Sequence, residues 1–170
     1  MGLNIIRIDS VRDLRMQNMG ITPPRDWSDV EQVRAAKFQE LSIACNTAIK
    51  VGCDVELSLG AGHISLTAED QINLSTALTA IKQGAEGYPY HLDGQLCAIF
   101  PAADILECAR AATAHKLLQT TYYNHLAAWA RRCETTEELE AVTYGADLPE
   151  DLANNMAAVL EATGGGETSV

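Results

Sequence analysis

Long apolar runs are missing from this 170-residue chain. No stretch approaches the roughly 18 consecutive apolar residues that would read as a membrane span. The opening "MGLNIIRIDSVRDLR" mixes charges among its apolar residues and lacks the core of a secretory signal, so export by that route is not expected. Residue 6 is Ile6 rather than Ser or Thr, which leaves the myristoylation signature incomplete. Close-spaced cysteines are missing too. Cys45, Cys53, Cys97, Cys108 and Cys133 are scattered and never stand as C-x-x-C. They read as small buried apolar residues in a reducing compartment rather than as zinc ligands.

Positive charge is missing from the C-terminal part. From Glu134 onward there are nine Asp and Glu and no Lys or Arg, whereas residues 1–40 balance six against six. With a formal net charge of −11, such a surface repels phosphate backbones and argues against a nucleic-acid partner. It reads first as a solvated acidic face, and second as a surface for a basic partner. Catalytic patterns are sparse as well. No Ser lies in a G-x-S-x-G elbow, and no His-x-x-x-His occurs. Gly60-Ala61-Gly62 is followed by a strand pattern, not by the helix that a phosphate cradle needs.

Periodic patterning is plentiful. "NIIRI" reads as a short strand or extended arm, and "DSVRDLRMQN" as one or two helical turns with Val11, Leu14 and Met19 along one side. "ITPPRDW" interrupts regular structure, because two prolines remove two N–H donors. Residues 1–27, ending at Trp27, therefore read as an arm or linker able to pack on something other than its own core. From about Asp29 to Val51 apolar residues recur at helical spacing, with Ser28 or Asp26 as the cap and Gly52 just past the end.

"DVELSLGAGHISLT" alternates. A tip at Ala61-Gly62 would set Leu59 opposite Ile64 and Leu57 opposite Leu66. Thr67 and Asp70 then read as the N-cap and N3 positions of a helix ending at Gly84, with Ile72, Leu74, Ala77, Leu78 and Ile81 on its apolar side. "GYPYHLDGQLCAIF" is a second hairpin. Asp93-Gly94 is a two-residue type I′ signal that would place Leu92 opposite Gln95 and Tyr90 opposite Cys97. Pro101 starts the longest helix, Ala102 to about Arg132. Thr135 and Glu138 form a capping box for a short helix, and Pro149 precedes the last one.

The candidate chemistry reads as structural. In "YHLDG", Asp93 serves the turn and His91 points away from Leu92. His115 and His125 lie nearly three turns apart, about 15 Å, so one helix cannot bring them to a shared metal. Cys108 and His115 are two turns apart, about 10 Å, beyond thiolate–imidazolium reach. Gln71 and Asn73 are harder to explain, because Asn is a poor helix former; they are candidates to bond the neighbouring loop or a second chain. Tyr123 stands on a different helical face from Tyr122 and Leu126, and is a candidate contact residue.

Three stretches, "GHISLTAEDQINL", "YHLDGQLCAIFPAADI" and "AHKLLQTTYYNHLAAW", together resemble a domain family of bacteriophages and prophages. Its members occur among tail genes, beside tail-fibre and baseplate proteins, and it has no assigned catalytic activity. The resemblance runs from Ala35 to Cys133. Asp70, Gln71 and Asn73 match its polar stretch, Asp93-Gly94 its turn, Asp104 its helix start and His115 its mid-helix histidine. It implies a tail-associated structural or assembly protein that contacts itself and other tail proteins, in the virion or the host cytoplasm. A soluble assembly chaperone is the alternative, and a small histidine-dependent hydrolase a second one.

The expected fold class is α+β, with long helices packed on two short antiparallel β-hairpins and C-terminal acidic helices. The expected boundaries are an arm over 1–27, a core domain over 28–133, acidic helices over 134–163 and a tail over 164–170. No catalytic, cofactor-binding or metal residue is expected. The interaction or structural candidates are Trp27, Asp70, Gln71, Asn73, Tyr90, His91, Asp93, Gly94, His115 and Tyr123.

Overall fold

A computed structural model of the chain describes residues 11–163. The segments "NIIRI" and "GGGETSV" lie outside the described residues. The fold is α+β. Helices α1 (Val11–Asn18) and α2 (Val30–Val51) precede a hairpin of β1 (Cys53–Leu57) and β2 (Gly60–Ile64). Helix α3 (Ala68–Lys82) leads into a second hairpin, β3 (Gly87–Tyr90) and β4 (Ala98–Pro101). Then come α4 (Ala102–Arg132), α5 (Thr136–Ala141) and α6 (Glu150–Ala162). The strands form two separate two-stranded antiparallel sheets. Among the described residues no helix is long and apolar enough to cross a membrane.

The helix ends follow from local chemistry. Thr67 and Asp70 form a reciprocal capping box at the start of α3, and Thr135 and Glu138 form another at α5. Gly52 and Gly84, at φ +89° and +99°, follow α2 and α3, where an L-residue would be strained. The cap of α2 is neither Ser28 nor Asp26. Asp29 accepts the N–H groups of Glu31 (3.0 Å) and Gln32 (3.2 Å), while Asp26 is occupied by Ser28.

The compact units do not follow the boundaries expected from sequence. One unit joins the stretch through Ala44 to Tyr123–Asn154, and the other joins Cys45–Tyr122 to the stretch from Asn155. Both α2 and α4 contribute residues to each, which a reading by contiguous segments cannot anticipate.

In the first unit the described part of the expected arm packs on its own chain. Met16, Ile21 and Ala36 cluster with Trp27. The helix α1 turns a face inward that differs from the apolar one: Val11, Leu14 and Met19 are exposed, and Asp13 and Met16 are buried. The reason is a polar partner. The Trp27 indole N–H donates to Asp13 Oδ1 at 3.0 Å, and the Arg12 guanidinium lies 3.9 Å from the centre of the Trp27 ring. In the same unit Arg34 donates to the carbonyls of Ala130 (3.1 Å) and Cys133 (2.6 Å). It thereby satisfies acceptors that the end of α4 leaves open.

In the second unit the core is Val55, Ile64, Leu66, Leu74, Ala77, Tyr90, Leu92, Phe100, Ile105, Cys108 and Ala112. Both hairpins, α3 and the first turns of α4 contribute. Ile72, expected on the apolar side of α3, is exposed instead; Leu74 and Ala77 carry the buried face.

Both hairpin registers differ from expectation. In the first, Leu57 pairs with Gly60, Val55 with Gly62 and Cys53 with Ile64. The turn is therefore Ser58-Leu59, not Ala61-Gly62. In the second, Tyr90 pairs with Ala98 rather than Cys97, and residues 91–97 form a longer connection. Within that loop the Gln95 N–H donates to the Leu92 carbonyl at 3.0 Å. Gly94 has φ +71° and no non-glycine residue among the described ones, Asp93 included, has positive φ, so Asp93 does not adopt the type I′ conformation.

Candidate functional site

The polar residues singled out by sequence gather mainly where the two hairpins meet the start of α3. Two serine–aspartate clamps hold the hairpin loops. Ser58 donates its N–H (3.0 Å) and its hydroxyl (2.7 Å) to the two carboxylate oxygens of Asp104, in the first turn of α4. Ser65 donates its N–H (3.2 Å) and its hydroxyl to the two oxygens of Asp93. The Asp93 N–H donates in turn to the His63 carbonyl at 2.9 Å. Asp93 thus ties the second hairpin loop to the strand end of the first, a task beyond shaping its own turn. Beside it, Leu92 covers Gly62 so closely that an added Cβ would lie 2.5 Å from Leu92 Cδ1.

Around this junction lies a crevice of about 10 Å³, lined by Ser65, Asp70, Asn73, Tyr90, His91 and Asp93. Asp70 uses Oδ2 for the Thr67 N–H (3.0 Å) and hydroxyl (2.6 Å). Tyr90 is 8% exposed, packs edge-on against Phe100 and lies parallel to His91. Its hydroxyl proton is held unusually tightly, with the pKa pushed up to about 12, first by burial and then by Cys108, Asp70 and Asp93. Asn73 is exposed and makes no side-chain hydrogen bond among the described residues. His91 is exposed, and its Nδ1 lies 3.3 Å from the Leu92 carbonyl.

The other candidates are placed as braces. Gln71 donates to the Leu66 carbonyl (2.8 Å) and accepts from Lys116 (2.6 Å), so it bonds the neighbouring loop and α4. His115 is bonded through Nε2 to the Ala48 carbonyl of α2 at 2.9 Å. It lines a second depression, of about 310 Å³, with Cys53, Asp54, Glu107, Arg110 and Leu118. There Arg110 holds Glu107 in a two-point pair at 2.8 and 2.7 Å, which lowers the Glu107 pKa. Tyr123 and Trp27 belong to the other unit. Tyr123 is half-buried, and Trp27 is committed to Asp13 and Arg12.

Sequence reasoning missed three features. The first is the Ser58–Asp104 clamp. The second is His63, whose Nδ1 lies 2.7 Å from Asp54 and whose Nε2 lies 2.7 Å from the Val51 carbonyl. These acceptors raise its pKa, Val51 first and then Asp54. His63 and Asp54 are cross-strand partners in the observed register, so the correct register would have revealed the pair. The third is the spread of cysteine environments. Cys45, Cys108 and Cys133 are buried as expected, but Cys53 is half-buried and Cys97 exposed. Burial pushes the Cys108 thiol up to about 11, which keeps it protonated and unreactive near neutral pH.

Among the described residues no group of three or more His, Cys, Asp or Glu is arranged to hold a metal ion. His91 and His115 line different depressions. No curated protein and no solved structure is significantly similar to the chain. A family model described as a domain of unknown function, DUF4376, matches residues 32–143, about two thirds of the chain. That match takes in β1 through α5, the crevice and both serine–aspartate clamps, and the chain belongs to the DUF4376 family.

Proposed function

We propose that this chain is a non-enzymatic structural or assembly protein of a bacteriophage or prophage tail, at the fibre or baseplate, acting through protein–protein contacts and self-association. The carrying observation is the division of labour among its side chains. His63, His115, Gln71, Asp93 and Asp104 are each spent on joining one element to another, and Asp70 on capping its own helix. Against this, the second hairpin leaves Leu96 (92% exposed), Cys97 and Ile99 open at its loop and outer edge. Exposed apolar groups of this size are what contact surfaces present. The tail setting is supported by the resemblance of "GHISLTAEDQINL" and its companion stretches to tail-gene domains.

Light scattering on purified protein is expected to give an oligomer, and Leu96→Asp with Ile99→Asp to weaken both self-association and capture of tail proteins. A strict monomer that captures no tail protein would end the reading. The acidic C-terminal region favours a second reading, a chaperone that shields a basic client and leaves before maturation. Mass spectrometry of purified particles separates the two: stoichiometric presence supports the first, absence the second. Substrate turnover lost in His91→Ala or His115→Ala, with the fold intact, would favour an enzyme over both.

A further inference from the structure

A two-stranded sheet has two outer edges, and the unpaired N–H and C=O groups of an edge can pair with another chain. Among the described residues, three of the four edges are blunted. Leu57 and Gly60 close the Ser58-Leu59 turn. Bonded pairs alternate from there, so Asp54, Glu56 and His63 turn their main-chain groups outward. Two exposed acids thus guard β1. On β2 the His63 carbonyl already accepts the Asp93 N–H at 2.9 Å. In the second hairpin the Ala102 N–H donates to the Glu86 carbonyl at 2.9 Å. The same alternation makes Tyr88–Phe100 and Tyr90–Ala98 the bonded pairs. On β3 the outward residue between them is Pro89, which has no N–H to offer, and α3 packs beside this strand.

The exception is β4. The Ile99 N–H and C=O point away from β3. So does the Cys97 C=O, which lies across a trans peptide from the bonded Ala98 N–H. No hydrogen bond among the described residues reaches these groups. Ile99 is 67% exposed, and Cys97 is exposed beside it. No charge and no proline interrupts Gln95 to Phe100, so this edge carries none of the devices that protect the other three.

We propose that β4 pairs edge to edge with β4 of a second copy, antiparallel about a two-fold axis at Ala98, joining two β3–β4 hairpins into one four-stranded sheet. It deepens the self-association in the reading above and rests on it. The edge is self-complementary. With the axis at Ala98, Ile99 of each protomer faces the partner's Cys97, and each Ile99 N–H donates to the partner's Cys97 carbonyl. The same register sets Ile99 and the partner's Cys97 side by side as an apolar cross-strand pair. Charge selects this stretch for contact between copies. Two chains of net charge −11 repel wherever acids face each other, and Gln95 to Ala103 is free of charge. The joint also closes on itself. The edges of the four-stranded sheet are then the two β3 strands, each blunted by Pro89, so assembly through this sheet stops at two copies.

The test is NMR of the full chain from about 20 μM to about 1 mM, a range that brackets a weak edge contact. The Ile99 amide should exchange freely with solvent in dilute solution and about fivefold or more slowly at the top of the range. The Phe100 amide, bonded to Tyr88, is the internal control and should change little. In a mixture of labelled and unlabelled chains, a contact between the Ala98 α-proton and that of the partner's Ala98 marks the register, because unbonded antiparallel pairs bring these atoms close. Ile99→Pro removes the outward donor and leaves the ladder to β3 intact, whereas Ile99→Thr keeps the N–H and the strand preference. Sedimentation equilibrium should show a dimer, weakened at least about tenfold more by proline than by threonine. If Ile99→Pro fails to fold, exchange and the Ala98 contact in the unaltered chain decide. Equal weakening by both variants overturns the proposal, as does an Ile99 amide already protected in the dilute monomer. An oligomer that leaves Ile99 open, or a monomer that still captures tail proteins, overturns the β4 joint while the contact reading stands. A β4 dimer that captures no tail protein keeps the joint and ends the tail assignment.

Discussion

The two hairpins use one device in two settings. At β1–β2 a serine donates its N–H and hydroxyl to both oxygens of Asp104, and at the β3–β4 loop Asp93 receives the same pair from Ser65. Asp104 is 4% exposed, whereas Asp93 lies open to solvent. The geometry is shared, so the difference in worth comes from burial alone. Water can replace a hydrogen bond to an exposed carboxylate. It cannot reach the donors that a buried one leaves behind. The buried clamp therefore fixes where the first hairpin turns. The exposed clamp holds a longer loop whose tip, Leu96 and Cys97, stays available for contact.

The largest expected effect follows from breaking the buried clamp. Asp104→Ala strands the Ser58 donors and should cost about 2–4 kcal/mol, read as a loss of unfolding free energy in urea. Asp104→Asn, which retains one acceptor oxygen, should cost less. Next comes the close packing beneath the exposed loop. Gly62→Ala places a Cβ 2.5 Å from Leu92 Cδ1 and 3.3 Å from Leu92 Cβ. Leu92 is buried with little room to retreat, so overpacking of about 1–3 kcal/mol is expected. Thermal melts should rank Gly62→Ala between the two clamp variants. Asp93→Ala, at the exposed clamp, should cost only about 0.5–1.5 kcal/mol, with hydrogen exchange rising at Ser65 and in the 91–97 loop. A loss at Asp93 equal to that at Asp104 would show that burial does not set the difference.

The smallest effect is a pH dependence on the first hairpin. His63 binds its proton more tightly folded than unfolded, because the Val51 carbonyl and the Asp54 carboxylate favour the charged ring. Its stabilising contribution is full below the ordinary value of 6.5 and fades as pH rises through the higher folded value. Comparing melting temperatures at acidic and mildly alkaline pH should show a slope that flattens in Asp54→Asn and disappears in His63→Gln. An unchanged slope in both variants would remove the pair from the account.

Legibility in the sequence tracked the range of the interactions. The capping boxes at Thr67–Asp70 and Thr135–Glu138 join residues three apart, and both stand as expected. The spans of α2 and α4 follow from periodicity with a glycine or proline at an end. Gln71, expected at a neighbouring loop or a second chain, bonds the loop. Apart from the α2 cap, where Ser28 takes Asp26 and leaves Asp29 as the cap, the main failures involve partners distant in the chain. Glycine chemistry favoured Ala61-Gly62 as a turn, but Asp104, 46 residues from Ser58, holds the turn earlier. Asp93-Gly94 suggested a tight hairpin, but Ser65, 28 residues away, takes the aspartate. The apolar side of α1 pointed outward because Trp27 needed Asp13 as an acceptor.

By itself the sequence determined the helices, the capping boxes of α3 and α5, the α+β class and the presence of two hairpins, because each of these is decided by neighbours a few residues apart. Tertiary structure alone decided the two registers, the inward face of α1 and the meeting of Asp70, Asn73, Tyr90 and Asp93 around one small crevice. Strand pairing is open to sliding until something outside the strands fixes it. Here that something is a buried carboxylate on one side and the packing of Leu92 over Gly62 on the other.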